Sequence, residues 1–356
     1  MYRILTINPG STSTKIGVFE DENQVFVKNI HHETEEVSRF EHITDQEGFR
    51  KEIILKTLEE AGIELTSMDA VVGRGGLVKP IVSGTYEVTE ELIRDLKAGV
   101  SGQHASNLGG ILAKDIAAEC GKVPSFIVDP VVVDEMEDLA RISGHPKLPR
   151  ISIFHALNAK AIAKRYAKDI GKKYEDLNLI VAHLGGGVSV GAHKAGKVID
   201  VFNGLDGDGA FAPERSGALP SGALVKLCFS GEVTEKEAYR MVVGAGGVVA
   251  YLGTNNMMEV EKRAKAGDRQ AALIREAFAY QISKNIGSMA TVLEGKVDQI
   301  LVTGGVAHDK EMVEMIKART SFICPVTAYP GEDELLALAQ GALRVLNKEE
   351  EAKQYH

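Results

Sequence analysis

Cysteine is scarce in this chain. Its three copies, Cys120, Cys228 and Cys324, form no Cys-x-x-Cys pair. A disulfide framework and a zinc ribbon are thereby excluded, and each cysteine reads as a buried small apolar residue of a reducing compartment. Positive charge is also in deficit: 41 Lys and Arg stand against 50 Asp and Glu, a formal net charge of -9. That balance excludes broad attraction to nucleic acid, so an anionic ligand must be held by local cations. Long apolar runs are missing too. The longest nearly uncharged stretch, Met241 to Gly253, is too short and glycine-rich to span a bilayer. With no basic-then-apolar leader before Ile4, the expected location is the cytoplasm and no membrane partner is expected. Gly-Lys occurs at 121, 171, 196 and 295 but never before Ser or Thr, which excludes a Walker P-loop. The run Gly207-Asp208-Gly209-Ala210-Phe211-Ala212 imitates a dinucleotide fingerprint but lacks the long strand that should precede it. The adjacent His31 and His32 lack metal-ligand spacing and read as surface residues.

What is present is ordinary globular material in a chain of 356 residues, with 44% hydrophobic and 26% charged residues. That length points to two domains. Ile4 to Phe19 reads as strand, polar turn, strand, and its tip Asn8-Pro9-Gly10-Ser11-Thr12-Ser13-Thr14-Lys15 offers backbone N–H groups, hydroxyls and one ammonium to a compact polyanion. Leu179 to Ala192 repeats the pattern around His183-Leu184-Gly185-Gly186-Gly187, and Ile300 to Val306 ends a third apolar strand on Gly304-Gly305. These turns, spread over two halves with no short repeat, indicate duplicated domains.

Strands and helices alternate between the turns. Ala70–Gly73 and Phe126–Asp129 read as buried strands. Thr89–Ala98, Leu108–Glu119 and Asn158–Asp169 carry helical apolar spacing, with Gly99 and Gly121 as stops. Thr234-Glu235-Lys236-Glu237 fits a capping box. Glu334 to Leu346 reads as an amphipathic helix followed by a solvated Lys- and Glu-rich stub, and Pro146 and Pro149 bracket the expected crossing between halves. The class is α/β with mixed sheets and flanking helices.

The three turns, together with Arg74 in Val72-Gly73-Arg74-Gly75-Gly76, His104 in Gly102-Gln103-His104, Asp129, Phe154-His155 and Arg215 in Glu214-Arg215-Ser216-Gly217, occur in one order from residue 4 to about 346. In that order they resemble the acetate and butyrate kinase family of the actin-like, sugar-kinase and Hsp70 superfamily. The resemblance implies duplicated actin-like ATPase (ribonuclease H-like) domains with a nucleotide cleft between them. It implies an N-terminal domain of residues 1–148 with the helix from 335 to 356 packing on it, and a C-terminal domain of residues 149–334. It also implies ATP-dependent phosphorylation of butyrate or a similar short-chain carboxylate, reversibly, to an acyl phosphate and ADP. Acetate or propionate as substrate, or a superfamily kinase acting on an alcohol or sugar, are the alternatives. The family's homodimer or higher homo-oligomer is expected as well.

By the same resemblance Arg74, Arg215, His155 and Asp129 are catalytic. Asn8, Ser11, Ser13, Lys15, His183, Gly185, Gly186, Gly187, Gly304 and Gly305 bind ATP or ADP. Arg74, Gly76, His104 and Phe154 bind the acid, and Asn8, Asp129 and Asp333 serve Mg²⁺, with Glu334 close behind Asp333 as the other candidate. The chemistry suits these residue types. A carboxylate is already anionic near neutral pH, so no base is needed, and guanidinium forks neutralise the approach of one anion to another. Three positions depart from the acetate kinase pattern. Ala156-Leu157-Asn158-Ala159 replaces Gly-Thr-Ser-His after His155, Gly186 replaces an asparagine, and Gly75-Gly76 replaces a pair of valines after Arg74. The first two fit the butyrate branch. The third is expected to open space at Gly76 for a longer acyl tail, each methylene contributing roughly 0.8 kcal/mol.

Overall fold

The computed structural model describes residues 1–356, and the chain divides into two compact units. The first comprises Met1–Val133 with Asp333–His356, and the second Asp134–Glu332.

In the first unit, β1 (Arg3–Pro9), β2 (Ser13–Glu20), β3 (Asn23–His31), β4 (Ala70–Arg74), β5 (Thr85–Glu87) and β6 (Ser125–Val128) form one sheet in the order β3-β2-β1-β4-β6-β5. β1, β4 and β6 run parallel, while β2, β3 and β5 join antiparallel. Alternation along β1 sends Leu5 and Ile7 to one face, where they join Leu108, Leu112 and Ile116 of the helix Asn107–Glu119 in a buried cluster. Thr6 points the other way with its ladder partner Gly17, against Leu335 of the helix Glu334–Leu346. The helix Asn107–Glu119 lies close on β4 because glycine meets glycine there. A Cβ on Gly73 would overlap the Gly109 carbonyl, and a Cβ on Gly109 would overlap the Arg74 carbonyl.

The chain beyond that last helix corrects the expected solvated stub. Lys353 pairs its backbone with Thr85 and Glu87 of β5, Glu350 accepts the Thr85 N–H at 2.8 Å, and Tyr355 is buried, its hydroxyl donating to Asp95 at 2.8 Å. His32 is a second correction. Read as surface, it is 1% exposed, and its Nε2 lies 2.8 Å from the Thr14 hydroxyl.

The second unit repeats the order of the first. Here β7 (Leu179–Leu184), β8 (Val188–Lys194), β9 (Lys197–Val201), β10 (Gln299–Gly304) and β11 (Val326–Pro330) run β11-β10-β7-β8-β9. β7, β10 and β11 are parallel and β8 and β9 antiparallel, as β1, β4, β6 and β2, β3 are. The long helix Arg269–Val292 buries Ile274, Phe278, Ile282 and Ile286 against this sheet. The change-over at Val133 comes ahead of the expected 148, for an electrostatic reason. Glu135 receives the ammonium of fully buried Lys160 at 2.6 Å and the Val198 N–H at 3.0 Å, while Arg150 bonds Asp200 and Asp208. Of the three cysteines, Cys228 is exposed at the end of the helix Ser221–Cys228, whereas the other two are buried. The Thr234 capping box forms as read. No helix is long and apolar enough to cross a membrane.

Two expectations follow. Gly109→Ala must push apart the helix and β4, at a cost of about 1–3 kcal/mol. A lowered urea midpoint measures it, and an unchanged midpoint contradicts the close contact. The second concerns pH. Burial, reinforced by the Arg50 charge, pushes the His32 pKa from 6.5 down to about 4. Unfolded His32 therefore takes a proton that the native residue refuses, and stability is lost as pH falls from about 6.5 toward 4, by up to about 3 kcal/mol. Urea denaturation of wild type and His32→Gln at pH 7 and 5 checks this; the variant should lose less stability on acidification.

Candidate functional site

In the first unit the parallel strands end at one edge, and the expected residues lie along it. Asn8 closes β1, Arg74 closes β4, and Asp129 follows β6, in a register that pairs Ile7 with Gly73 and Arg74 with Val128. The Arg74 guanidinium grips Glu334 with both prongs, Nη1 to Oε2 and Nη2 to Oε1, each at 3.1 Å. Asn8 completes the group, donating to Glu334 Oε2 at 2.5 Å and accepting from Arg74 at 3.2 Å. The two acidic candidates have different partners. Asp333 is the N-cap of its helix and accepts the Leu336 N–H, so its carboxylate serves the backbone, while Glu334 stands with Asn8. Asp129 is buried with φ of 39° and accepts, through one oxygen, the Ser83 hydroxyl at 2.6 Å and the Gly84 N–H at 2.8 Å. Ser11, Ser13 and Lys15 follow on the tip after β1, with Lys15 paired to Asn8 in the ladder.

The acyl-tail expectation at Gly76 meets a different environment. The space beside Gly76 is filled: an added Cβ would lie 2.6 Å from Asn107 Cα and 2.7 Å from Leu96 Cδ2. The missing side chain makes room for the protein itself, not for an acyl tail. Asn107 is the organiser, accepting the Leu77 N–H and donating to the Leu96 and Gly102 carbonyls. His104 is exposed just ahead of that helix. Its Nδ1 accepts the Ser106 N–H at 3.1 Å, which leaves the proton on Nε2.

The second unit carries its own group. His183 is buried at the end of β7 and stacks on His155, rings 3.8 Å apart and 7° from parallel. Asn158, one turn into the helix Ala156–Asp169, donates to His183 Nδ1 at 2.8 Å and to the Thr303 hydroxyl at 3.2 Å. The His183 proton therefore sits on Nε2, 3.1 Å from Glu332 Oε1 but out of line for a good hydrogen bond. His155 Nδ1 meets the Ser189 hydroxyl at 3.1 Å, and Phe154 beside it is buried. Gly187 lets Arg215 approach, since a Cβ there would overlap the guanidinium. Arg215 Nη1 donates to the Gly204 carbonyl at 2.5 Å, while its buried Nε has no partner. Burial lowers the Arg215 pKa, against the opposing charges of Glu214 and Asp206. Gly304, at φ of 91°, passes tightly over Leu184, and Gly305 faces open space.

Gly185, Gly186 and Gly305 also line a cavity of about 920 Å³, whose apolar wall includes Met257, Met258 and Val306. Its size is that of a small-molecule site, which spans about 300–1,000 Å³. The sequence reading missed this wall and the bonds by which Asn158 holds His183 and Thr303. Asn158 carried a signal, since it is the polar residue within the apolar stretch Ala156-Leu157-Asn158-Ala159 that opens the helix on its buried side.

A family model described as the acetokinase family matches residues 150–323. Butyrate kinase 2 of Clostridium acetobutylicum is 60% identical over 354 residues, 99% of each chain. Butyrate kinase 1 of the same organism is 58% identical over 355 residues, 100% of each. The crystal structure of Porphyromonas gingivalis acetate kinase superposes with a TM-score of 0.81 over 97% of this chain and 100% of that one, at 21% identity. That likeness shows the fold, duplicated actin-like ATPase domains, which the repeated strand order displays independently. The chain belongs to the acetokinase family.

Proposed function

We propose that the chain transfers the terminal phosphoryl group of ATP to butyrate or a similar short-chain carboxylate, reversibly, giving an acyl phosphate and ADP. The observation that carries this reading is the full-length likeness, near 60% identity, to two butyrate kinases. The geometry supports it.

A carboxylate oxygen attacks the γ-phosphorus, the bond to the bridging oxygen breaks, and ADP leaves with the electron pair. No proton moves, because a carboxylic acid with a pKa of about 4 is ionised near neutral pH. The obstacle is repulsion between anions, and positioned cations lower it. Arg215 suits the transferring phosphoryl group: its Nε is a buried donor without a partner, which an anionic oxygen would satisfy. Arg74 suits the acid, since a guanidinium that grips Glu334 with two prongs has the fork that a carboxylate substrate needs. His155 is held by Ser189 and by its stack on His183, and we assign it as a donor to the transferring group. The tip from Ser11 to Lys15 takes phosphates, and the cavity beside Gly185, Gly186 and Gly305 takes the nucleoside, its methionines against the base.

Asn8 Oδ1 and the Glu334 carboxylate are hard oxygen donors of the kind Mg²⁺ takes, and the Arg74 guanidinium already lies against that carboxylate as a cation. Asn8, Glu334 and Asp129 would hold the ion, with Glu334 in place of Asp333. When bound, Mg²⁺ neutralises charge on phosphate oxygens. A homo-oligomer belongs to the same proposal.

Hydroxylamine trapping across C2 to C5 monocarboxylates, with ATP and Mg²⁺, tests the reaction. Hydroxamate should form, most readily from C4 acids; none from any acid would end the proposal. Arg74→Ala and Arg215→Ala should each lower kcat by about 10²–10³ while leaving ATP affinity within a few fold. Glu334→Gln should cost about 10² in kcat, whereas Asp333→Asn, which keeps the oxygen that caps the helix, should leave kcat within a few fold and stability nearly unchanged. Equal losses of activity in these two variants would reverse the assignment.

A further inference from the structure

The tip between β1 and β2 is built on a residue the reaction does not touch. Arg50 sits on the helix Glu47–Glu60, in line with Ile54 and Leu58, and is fully buried. Its guanidinium donates to the carbonyls of Gly10 at 2.7 Å, Ser11 at 3.0 Å and Ser13 at 3.0 Å, and to the Thr14 hydroxyl at 3.1 Å. Gln46 Oε1 receives Nε and Nη2 at 3.0 and 2.8 Å. The Thr12 carbonyl is taken by the His32 N–H at 2.9 Å, so every carbonyl from residue 10 to residue 13 is bound on the inner side.

Two consequences follow. First, the N–H groups of exposed Ser11 and Thr12 have no acceptor in the protein. Accounting for every backbone group makes them the donors left for a ligand. Second, Arg50 forms no ion pair: its acceptors are four neutral oxygens of the tip and one amide. Burial with no compensating carboxylate pushes its pKa down to about 10, still charged at neutral pH. An unpaired buried charge is costly, and its cost falls when an anion comes close.

We infer that Arg50 is a positioning residue for polyphosphate: it turns the carbonyls of the Gly10–Ser13 tip inward, leaves amides facing out, and takes the bound phosphates as its counter-ion through one layer of backbone. This rests on the reading of that tip as the phosphate site. It departs from an ordinary structural arginine, which would carry a carboxylate partner and be indifferent to ligand. The neighbouring groups agree. His32 on the same face stays neutral, its proton disfavoured by burial and by Arg50, so the charge under the tip belongs to one residue.

The test uses Arg50→Lys, which keeps the charge without the fork, and Arg50→Gln, which removes the charge, with Lys15→Ala as the control for the phosphate reading. Tripolyphosphate and ADP binding are measured by calorimetry, alongside KM for ATP and for the acid. Arg50→Gln should weaken tripolyphosphate and raise KM for ATP by about tenfold to a hundredfold. Arg50→Lys should fall between it and wild type, and KM for the acid should stay within about twofold, because what is lost is the outward set of the tip amides and the charge beneath the phosphates, neither of which the acid meets. If Arg50→Gln does not fold, Arg50→Lys alone decides by its split between the two KM values. Unchanged phosphate affinity in the Arg50 variants, with a loss in Lys15→Ala, overturns the inference and keeps the phosphate site. Unchanged affinity in all three removes the phosphate reading of the tip, and the inference with it.

Discussion

The clasp of Arg74 on Glu334, with Asn8 bonded to both, ties together three segments distant in sequence: the end of β1, the end of β4, and the start of the helix Glu334–Leu346. Both charges are largely covered, at 25% and 15% side-chain exposure, so the pair is less screened than a surface bridge. Glu334 is also the first residue of its helix, where the free N–H groups favour negative charge. From that clasp the helix continues over β1, β4 and β6. The tail after it then lies along β5, beside Ser83 and Gly84, which fix Asp129. Rigid support for the polar edge of the first unit therefore comes from the last residues of the chain.

A second regularity concerns how a chain of net charge -9 keeps local positive potential. Most arginines here are neutralised by carboxylates, as Arg150 is by Asp200 and Asp208, or Arg275 by Asp309. Arg50 and Arg215 are bound to neutral acceptors instead, backbone carbonyls with a hydroxyl and an amide for Arg50, and the Gly204 carbonyl for Arg215. Carbonyl dipoles fix a guanidinium without cancelling its charge. Such residues hold their geometry and still attract an anion, which is what phosphoryl transfer between two anions requires.

Much of the frame was legible because it is written in local pattern. The apolar runs of β1, β7 and β10 end on small polar or glycine-rich tips, and the Thr234 capping box and the Gly99 stop are short-range chemistry. What escaped depends on which face meets which neighbour. Asp333 and Glu334 differ by one residue, and only the entry angle of the helix decides which faces Asn8. Arg50 shares the i, i+4, i+8 stripe with Ile54 and Leu58, so the period marked it as inward-facing, but residue type argued for the surface. Lys353 and Tyr355 close on β5 and Asp95, partners more than two hundred residues away that no window of sequence contains.

Gly76 shows the limit most plainly, and it bears on selectivity. Absence of a side chain states that room is needed, not who occupies it, and the occupants are Asn107 and Leu96. Preference among acids must then arise elsewhere, from apolar contact with the tail. Arginine forks grip the carboxylate of every short acid alike, so they contribute no discrimination. Each methylene adds roughly 0.8 kcal/mol when buried, so two separate butyrate from acetate by about tenfold to twentyfold. A pocket that only adds favourable contact cannot exceed this; sharper exclusion of acetate would require polar groups left unpaired by the shorter acid, and a saturated tail offers none to pair. Graded preference over chain length is therefore the physical expectation for a carboxylate kinase whose cations recognise only the charged end.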